Sequence, residues 1–209
     1  MELLTPNFLC IDTLPEKTSS ILKTLKALLA KGFIRVSKSA WASPVLIAKK
    51  KTDDGAELTE MRLCTDYRKL NSKTKKSRYP LPGIHELLDR LHKAKCFSKF
   101  DFRSGYLQIR VAEESIPLAA FRTKYGQYEY TVMNFGLCNA PGTLQTLVND
   151  IFIDHIDDFV LAYFGEILGY SDDWESHIQH LRQVLEILRT NKLYTSDQNA
   201  ISSNSPWNF

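Results

Sequence analysis

Residues 161–170 read LAYFGEILGY, and this stretch decides how the rest of the sequence is interpreted. The apolar run FVLAY (159–163) and the run ILGYS (167–171) are typical of two short strands. Gly165 and Glu166 lie between the two runs. The segment therefore predicts a β-hairpin with Gly165 and Glu166 at its tip.

The composition is that of a globular protein with one sizeable core or two small subdomains. The chain has 209 residues, of which 44% are hydrophobic and 24% charged. No apolar run approaches the roughly 20 residues of a membrane span, so we expect no membrane partner. The N-terminal MELLTPNFLC lacks the features of a secretory signal. Four scattered cysteines argue against a zinc site or a disulfide framework and favour an intracellular protein, cytoplasmic or nuclear.

The net charge of +3 conceals two halves of opposite sign. Residues 1–100 contain 20 Lys+Arg and 10 Asp+Glu, whereas residues 101–209 contain 7 and 14. Such a division suits a protein with a basic surface that binds a polyanion and an acidic surface that binds metal ions. Two solvated surfaces of different sign explain it equally well.

The first half of the chain mixes helices with strands. Residues 16–31 have apolar side chains at helical spacing, with Pro15 at the start and Gly32 just past the end. Strands are predicted at 45–50 and 61–67, joined as a hairpin by the polar segment TDDGAE. A basic stretch from Lys73 to Arg78 leads into an extended Tyr79–Pro82 segment and then a helix over 84–95.

The second half continues in the same mixed pattern. Strands are predicted at 96–102, 106–111, 119–123 and 128–132, a helix from Asn139 to Phe152, and a helix over 174–191. Beyond Tyr194 the sequence loses periodicity, so 195–209 is interpreted as an unstructured tail. Antiparallel hairpins without steady βαβ alternation indicate an α+β fold.

Several ordered motifs give the chain a family resemblance. They include RLCTDYRKLN, RYPLP, FSKFDFRSGYLQIRV, AAFRTKYGQYEYTVMNFGLCNAP and the YFGEILGYS segment with its following histidine. From about Ala27 to Tyr194, some four-fifths of its length, the chain resembles a reverse transcriptase of gypsy-like long-terminal-repeat retroelements, an RNA-directed DNA polymerase. The resemblance implies the fingers and palm of a right-handed polymerase: an antiparallel palm sheet backed by helices, and a β-hairpin in the fingers.

The resemblance also implies a domain plan. Residues 1–26 would form an N-terminal extension and the start of the first helix, 27–95 the fingers and 96–194 the palm. The family continues beyond the position of Tyr194 into a thumb, so we expect a truncated domain without one. Its partners would be an RNA or DNA primer-template and deoxynucleoside triphosphates, while the oligomeric state stays open.

The family's catalytic site contains two Mg²⁺ ions held by three aspartates. In phosphoryl transfer the protein mainly positions the reacting groups and neutralises their charge. Magnesium ions prefer carboxylate oxygens as ligands. Asp101, at the end of an apolar strand, matches the first aspartate. The other two belong to a Tyr-x-Asp-Asp hairpin tip, where this sequence has Gly165 and Glu166. Asp101 and Glu166 thus remain as candidate catalytic and metal-binding residues of a degenerate site, and we expect magnesium binding and polymerisation to be weakened or lost.

A second Tyr-x-Asp-Asp occurs at Tyr170–Asp173, but it is out of register with the family. The apolar strand precedes Tyr163, and the family's histidine fourteen residues after the motif tyrosine coincides with His177 only when counted from Tyr163. Asp172 and Asp173 precede a helix, where acidic residues cap free amides. We therefore interpret them as capping residues.

The remaining site residues come from the same resemblance. Family positions that bind the incoming nucleotide match Lys50, Arg62, Phe102, Tyr106 and Phe135, and those that contact the template match Arg78 and Gln145. Asn134 replaces the family's usual proline beside Phe135.

Two other interpretations stay open. One is an active enzyme in which Asp101 and Glu166 suffice. The other is a non-enzymatic protein, derived from a retroelement, that binds nucleic acid or a protein partner.

Overall fold

The structure, a computed structural model, describes residues 15–51, 57–80, 83–92 and 94–196. Its contacts divide the chain into two compact units that alternate along the sequence. The first unit comprises Met1–Thr74 and Arg110–Leu137, and the second comprises Lys75–Ile109 and Cys138–Phe209. The fingers and palm boundaries expected from the sequence are contiguous, and they stay a prediction.

The described residues form five α-helices, eight strands and two short 3₁₀ helices. The helices are α1 (Pro15–Ala30), α2 (Arg68–Lys73), α3 (Ile84–Leu91), α4 (Ala140–Ile151) and α5 (Trp174–Thr190). The strands are β1 (Ile34–Val36), β2 (Ser43–Lys51), β3 (Glu57–Thr65), β4 (Cys96–Asp101), β5 (Ala120–Thr123), β6 (Gly126–Tyr130), β7 (Val160–Tyr163) and β8 (Glu166–Ser171). The α+β prediction is confirmed.

The first unit is built on a five-stranded sheet in the order β1-β6-β5-β2-β3. The predicted hairpin is present as the antiparallel pair β2–β3, with Val45 opposite Thr65, and β2 also pairs in parallel with β5. Residues 52–56 of the predicted turn lie outside the described residues. Phe121 is fully buried, and the buried Tyr67 hydroxyl donates to the Ala119 carbonyl at 2.9 Å.

The second unit is built on a three-stranded antiparallel sheet in the order β4-β8-β7. Alternation along each strand divides its side chains between two faces. One face packs on α4 and α5 through a core that includes Phe100, Val160, Ala162, Ile167, Leu144, Val148, Val184 and Leu188. A smaller cluster on the other face contains Phe97, Leu161 and Tyr170, with Leu87 and Leu91 of α3. This is the predicted sheet backed by helices.

His177, the histidine that set the register in the sequence, is completely buried beneath this sheet. Its Nε2 lies 2.9 Å from Ser98 Oγ of β4, and its Nδ1 lies 2.9 Å from Ser171 Oγ of β8. The same Ser171 hydroxyl lies 2.8 Å from Nδ1 of His180. The imidazole therefore joins α5 to two neighbouring strands.

The prediction of a strand at 106–111 is wrong. The chain forms a 3₁₀ helix over Gly105–Gln108 and then only an isolated bridge between Arg110 and Val132. Ser104 adopts a left-handed conformation, with φ 53°, that turns the chain out of β4. The Gln108 side chain then donates to the carbonyls of Arg103 and Tyr194, which holds the turn closed.

Smaller differences concern element ends and short elements. The helix α3 ends at Leu91 and not at residue 95, because Ala94 is buried and the Lys95 amide donates to Ser171 O to begin pairing with β8. Sequence patterns missed β1, α2 and a 3₁₀ helix over Ile116–Ala119, all of which are six residues or shorter. Residues 81–82 of the predicted extended segment and 197–209 of the predicted tail lie outside the described residues.

No helix in the described part of the chain is long and apolar enough to cross a membrane.

The buried His177 predicts a pH-dependent stability. Burial, with a smaller effect from His180, lowers the pKa of His177. An unfolded histidine takes up its proton near pH 6.5, so this contribution to the unfolding free energy is complete above that pH and is lost as the pH falls below it. Denaturant unfolding between pH 7.5 and 5 should show this loss, and His177→Gln should remove it.

The exposed His92 supplies a control, since His92→Gln should leave the acid dependence intact. Carboxylates with lowered pKa values, such as Asp173 and Glu129, lose their contribution only at more acidic pH. Equal slopes for wild type and His177→Gln between pH 6.5 and 5 would contradict the assignment.

Candidate functional site

The β7–β8 hairpin closes through a two-residue turn, Phe164–Gly165. Both residues have positive φ angles, 49° and 90°, as a type I′ hairpin turn requires, and Tyr163 pairs with Glu166 across it. On the other side of β8, Asp101 is the register partner of Glu166. Directly opposed residues of an antiparallel pair project to the same face, with Cβ atoms about 5 Å apart. The structure thus brings the two predicted carboxylates together.

Gly165 leaves no room for a side chain. A Cβ built on this residue would lie 2.8 Å from Leu144 Cδ2 of α4, and φ 90° is a conformation that L-residues with side chains rarely adopt. Leu144 is buried in the core, which limits how far it can move away. The position of Leu144 therefore favours glycine, and disfavours a residue with a carboxylate side chain, at position 165.

Gln145 supports the tip from within the protein. Its Nε2 donates to the Ala162 carbonyl at 3.0 Å, and its Oε1 accepts from the Phe164 amide at 2.9 Å. These bonds satisfy backbone groups of β7 and of the turn on the side that does not face β8, as a neighbouring strand would. The side chain is 1% exposed, and Nε2 also donates to Asn149. In the structure, Gln145 positions the turn through these bonds. The template contact expected for Gln145 stays a prediction.

Glu166 is held in an ion pair that the sequence analysis did not anticipate. Its Oε1 lies 2.9 Å from Nζ of Lys99, and the two side chains are 52% and 32% exposed. Lys99 stands two residues before Asp101 on β4 and so projects from the same face. The surface at the tip therefore carries two carboxylates and one ammonium group.

This donor set does not fit a pair of magnesium ions. The family's arrangement takes three carboxylates, whereas the tip has Asp101 and a Glu166 that is already paired with Lys99. Within the described ranges, no group of three or more histidine, cysteine, aspartate or glutamate side chains lies close enough to hold a metal ion. The tip therefore lacks the set of ligands that the family's two-ion chemistry requires.

The capping role predicted for the second Tyr-x-Asp-Asp is confirmed for Asp173. Asp173 is the N-cap of α5, and its carboxylate accepts from the Ser176 amide at 2.9 Å and from the Ser176 hydroxyl at 2.8 Å. These bonds lower the pKa of Asp173.

Two predicted nucleotide contacts lie beside Asp101 in the second unit. Phe102 is 6% exposed, so its side chain belongs to the core, and its amide lies 3.5 Å from the Gly165 carbonyl. Tyr106 is half-buried in the 3₁₀ helix and packs against the same core, and this burial raises its pKa. The nucleotide roles of both residues stay predictions.

The other predicted nucleotide contacts lie in the first unit. The side chains of Lys50 and Arg62 lie outside the described part of the structure, although their backbones belong to β2 and β3. Phe135 is 62% exposed, and its amide donates to Asn134 Oδ1 at 2.8 Å. Asn134, which stands where the family has proline, thus accepts a hydrogen bond from the amide of the following residue.

The basic stretch is anchored to the start of α4 by Asn139, which sequence reasoning missed. Asn139 Oδ1 accepts from the Ser77 amide at 3.0 Å, and its Nδ2 donates to the Lys75 carbonyl at 2.9 Å. The segment Lys75–Arg78, exposed throughout, lines a groove of about 760 Å³. The predicted template residue Arg78 therefore lies in a fixed, exposed basic segment.

A second basic surface lies in the first unit. Arg68, Lys69 and Arg122 line a cleft of about 450 Å³, and among its described lining residues Asp66 supplies a carboxylate. Hydrogen bonds from Arg68 lower the pKa of Asp66 to about 2, so it is ionised at neutral pH. The cleft keeps an excess of positive charge. Arg122 lies more than fifty positions from Arg68 in the sequence, which is why no linear pattern marked the cleft.

The packing of Gly165 predicts a large effect of a single methyl group. Gly165→Ala should lower the unfolding free energy by about 2–4 kcal/mol, because it combines the strain of positive φ with overpacking against Leu144. Gly32→Ala is the matched control, since Gly32 has φ 68° but nothing within 4 Å of its Cβ position. It should cost only about 1 kcal/mol in the same urea titration.

A double-mutant cycle tests the contact itself. Leu144→Ala is costly alone, but it should reduce the further cost of Gly165→Ala. Strict additivity of the two substitutions, or equal costs at Gly165 and Gly32, would show that Leu144 does not restrict position 165.

Comparisons with known proteins agree with this architecture. Residues 47–199 match the family described as "Reverse transcriptase (RNA-dependent DNA polymerase)". The chain is 40% identical over 140 residues to an RNA-directed DNA polymerase homolog of Oenothera berteroana, covering 66% of this chain and 96% of that protein. It is 37% identical to the Pol polyprotein of transposon gypsy from Drosophila melanogaster, covering 78% of this chain and 16% of the polyprotein.

The fold is likewise similar to a solved structure. The foamy viral protease-reverse transcriptase, in a complex with double-stranded DNA, superposes with a TM-score of 0.78 at 20% identity, covering 90% of this chain and 32% of that one. The chain therefore belongs to the reverse transcriptase family, as a reverse transcriptase domain of the kind found in retroelement polyproteins.

Proposed function

We propose that this chain is a reverse transcriptase domain that no longer adds nucleotides and keeps the ability to bind nucleic acid. The observation that carries the proposal is the tip of β7–β8. Asp101 faces Glu166 there, Glu166 is paired with Lys99, and Gly165 contributes no ligand. Loss of a carboxylate from a two-ion site costs on the order of several kcal/mol of transition-state stabilisation, and each 1.36 kcal/mol is a factor of ten in rate.

Retained binding of a primer-template is supported by the basic segment Lys75–Arg78. Its four residues are exposed, and Asn139 holds its backbone in place without using any of the cationic groups. Such groups bind phosphates in a sequence-independent manner. The foamy viral relative is described in complex with double-stranded DNA, which supports a duplex as the ligand class.

Binding of deoxynucleoside triphosphates belongs to the same proposal and depends on Lys50 and Arg62. An intracellular setting completes it. The four cysteines are scattered along the sequence with no close pair, which suits a reducing compartment.

Primer extension tests the loss of activity. The wild-type chain should extend no primer on an RNA or DNA template with Mg²⁺ or Mn²⁺, under conditions in which an active enzyme of the family serves as the positive control. The variant Gly165→Asp/Glu166→Asp should be combined with Leu144→Ala, because Leu144 occupies the space of the restored side chain. Extension by the triple variant alone would assign the defect to the tip, whereas extension by wild type would overturn the proposal.

A salt titration tests nucleic-acid binding. Affinity for a labelled RNA–DNA hybrid should fall steeply as salt rises. Lys75→Ala/Lys76→Ala/Arg78→Ala should reduce the log–log slope by roughly 2–3, because each phosphate that a cation neutralises adds about 0.9 to the slope. The control Lys23→Ala/Lys26→Ala/Lys31→Ala removes the same charge from exposed positions of α1 and the turn after it and should change the slope less. A wild-type slope near zero would exclude a nucleic-acid ligand.

A further inference from the structure

Lys99 occupies a distinctive position on β4. It stands directly opposite Leu168 of β8, while its neighbour on the same face, Asp101, stands opposite Glu166. The ammonium group reaches diagonally to the tip and lies 2.9 Å from Glu166 Oε1. A single strand therefore presents a carboxylate and a cation to the same side chain.

The apolar side chains around Lys99 favour an extension of its side chain toward Glu166. Leu168 packs with the apolar cluster that contains Phe97, Leu161 and Tyr170, so the face behind Lys99 is covered by hydrocarbon. A lysine commonly lays its methylene stem along such a surface and extends its charged end toward water or a partner. Here the end of the side chain meets Glu166, and only 32% of the lysine side chain is exposed.

The charge balance at the tip follows from this contact. Asp101, Glu166 and Lys99 together carry a net charge of −1 when all three are ionised. A divalent ion at the tip would need carboxylate oxygens of both Asp101 and Glu166. The Lys99 ammonium already contacts one of these oxygens, Glu166 Oε1. A metal ion approaching Asp101 and Glu166 must displace the ammonium or accept its repulsion at short range.

We propose that Lys99 is the resident counter-cation of Glu166 and keeps divalent metal ions away from the Asp101–Glu166 pair. The inference rests on the proposed function, in that it gives a physical cause for a tip that does not support catalysis. It assigns Lys99 a positioning role, because the residue acts through Glu166. The half-exposed geometry makes the competition moderate, so removal of the ammonium should tighten metal binding on the order of threefold to tenfold.

Binding of Mn²⁺ alone, without nucleotide or nucleic acid, tests the proposal. Paramagnetic broadening of backbone amide signals near residues 101 and 166 reports the site, and its concentration dependence gives the affinity. Lys99→Met keeps the length of the stem and removes the charge, whereas Lys99→Arg keeps the charge. We expect local broadening at lower Mn²⁺ concentration in Lys99→Met, wild-type behaviour in Lys99→Arg, and loss of the gain in Lys99→Met/Glu166→Gln.

The outcomes are separable from those of primer extension. Equal Mn²⁺ affinity at the tip in wild type and Lys99→Met overturns the role of Lys99, and so does an absence of local broadening in both. A gain that persists in Lys99→Met/Glu166→Gln also overturns it, since the site would then not involve Glu166. Thermal unfolding of each variant confirms that the fold is kept. Failure of the broader proposal would instead be seen as DNA synthesis by wild type, whatever the Mn²⁺ result.

Discussion

The antiparallel register between β4 and β8 is the constraint on which the rest of the second unit depends. It places Asp101 opposite Glu166 at one end and Cys96 opposite Ser171 at the other. A shift by one residue would exchange the two faces of the sheet and bury charged side chains against α4 and α5. Ser98 and Ser171, from the two paired strands, meet His177 beneath the sheet, so this buried imidazole also specifies the register.

The contacts that hold the tip in place do not use the side chains of residues 165 and 166. Gln145 bonds to the backbone of Ala162 and Phe164, and the core beneath is formed by apolar residues of β7, β8, α4 and α5. A change at Glu166 can therefore leave the scaffold intact, whereas a change at Gly165 must also accommodate Leu144. This separation is compatible with a reverse transcriptase fold whose hairpin tip carries Gly165 and Glu166.

The packing at the tip fits the residues that it contains. Gly165 permits a left-handed turn in close contact with Leu144, and Glu166 finds a cation on the neighbouring strand. Each feature is a favourable local interaction, since it avoids a steric clash or an uncompensated charge. Together they describe a hairpin suited to its own sequence, and the basic segment held by Asn139 remains as a separate surface.

Sequence alone determined the family, the α+β class, the β7–β8 hairpin and the distinction between the true tip and the capping Asp173. These features depend on local periodicity, on long ordered motifs and on residue counts between them, all of which are visible in a linear chain. The strand expected at 106–111 failed because an apolar alternation was overridden by the left-handed Ser104 and by bonds from Gln108 to a distant part of the chain. Only the tertiary structure decided that Lys99 reaches Glu166, that Leu144 fills the space beside Gly165 and that Arg122 lines a cleft with Arg68. These relations join residues more than twenty positions apart, and the packing of strands and helices, not the sequence between them, sets their distances.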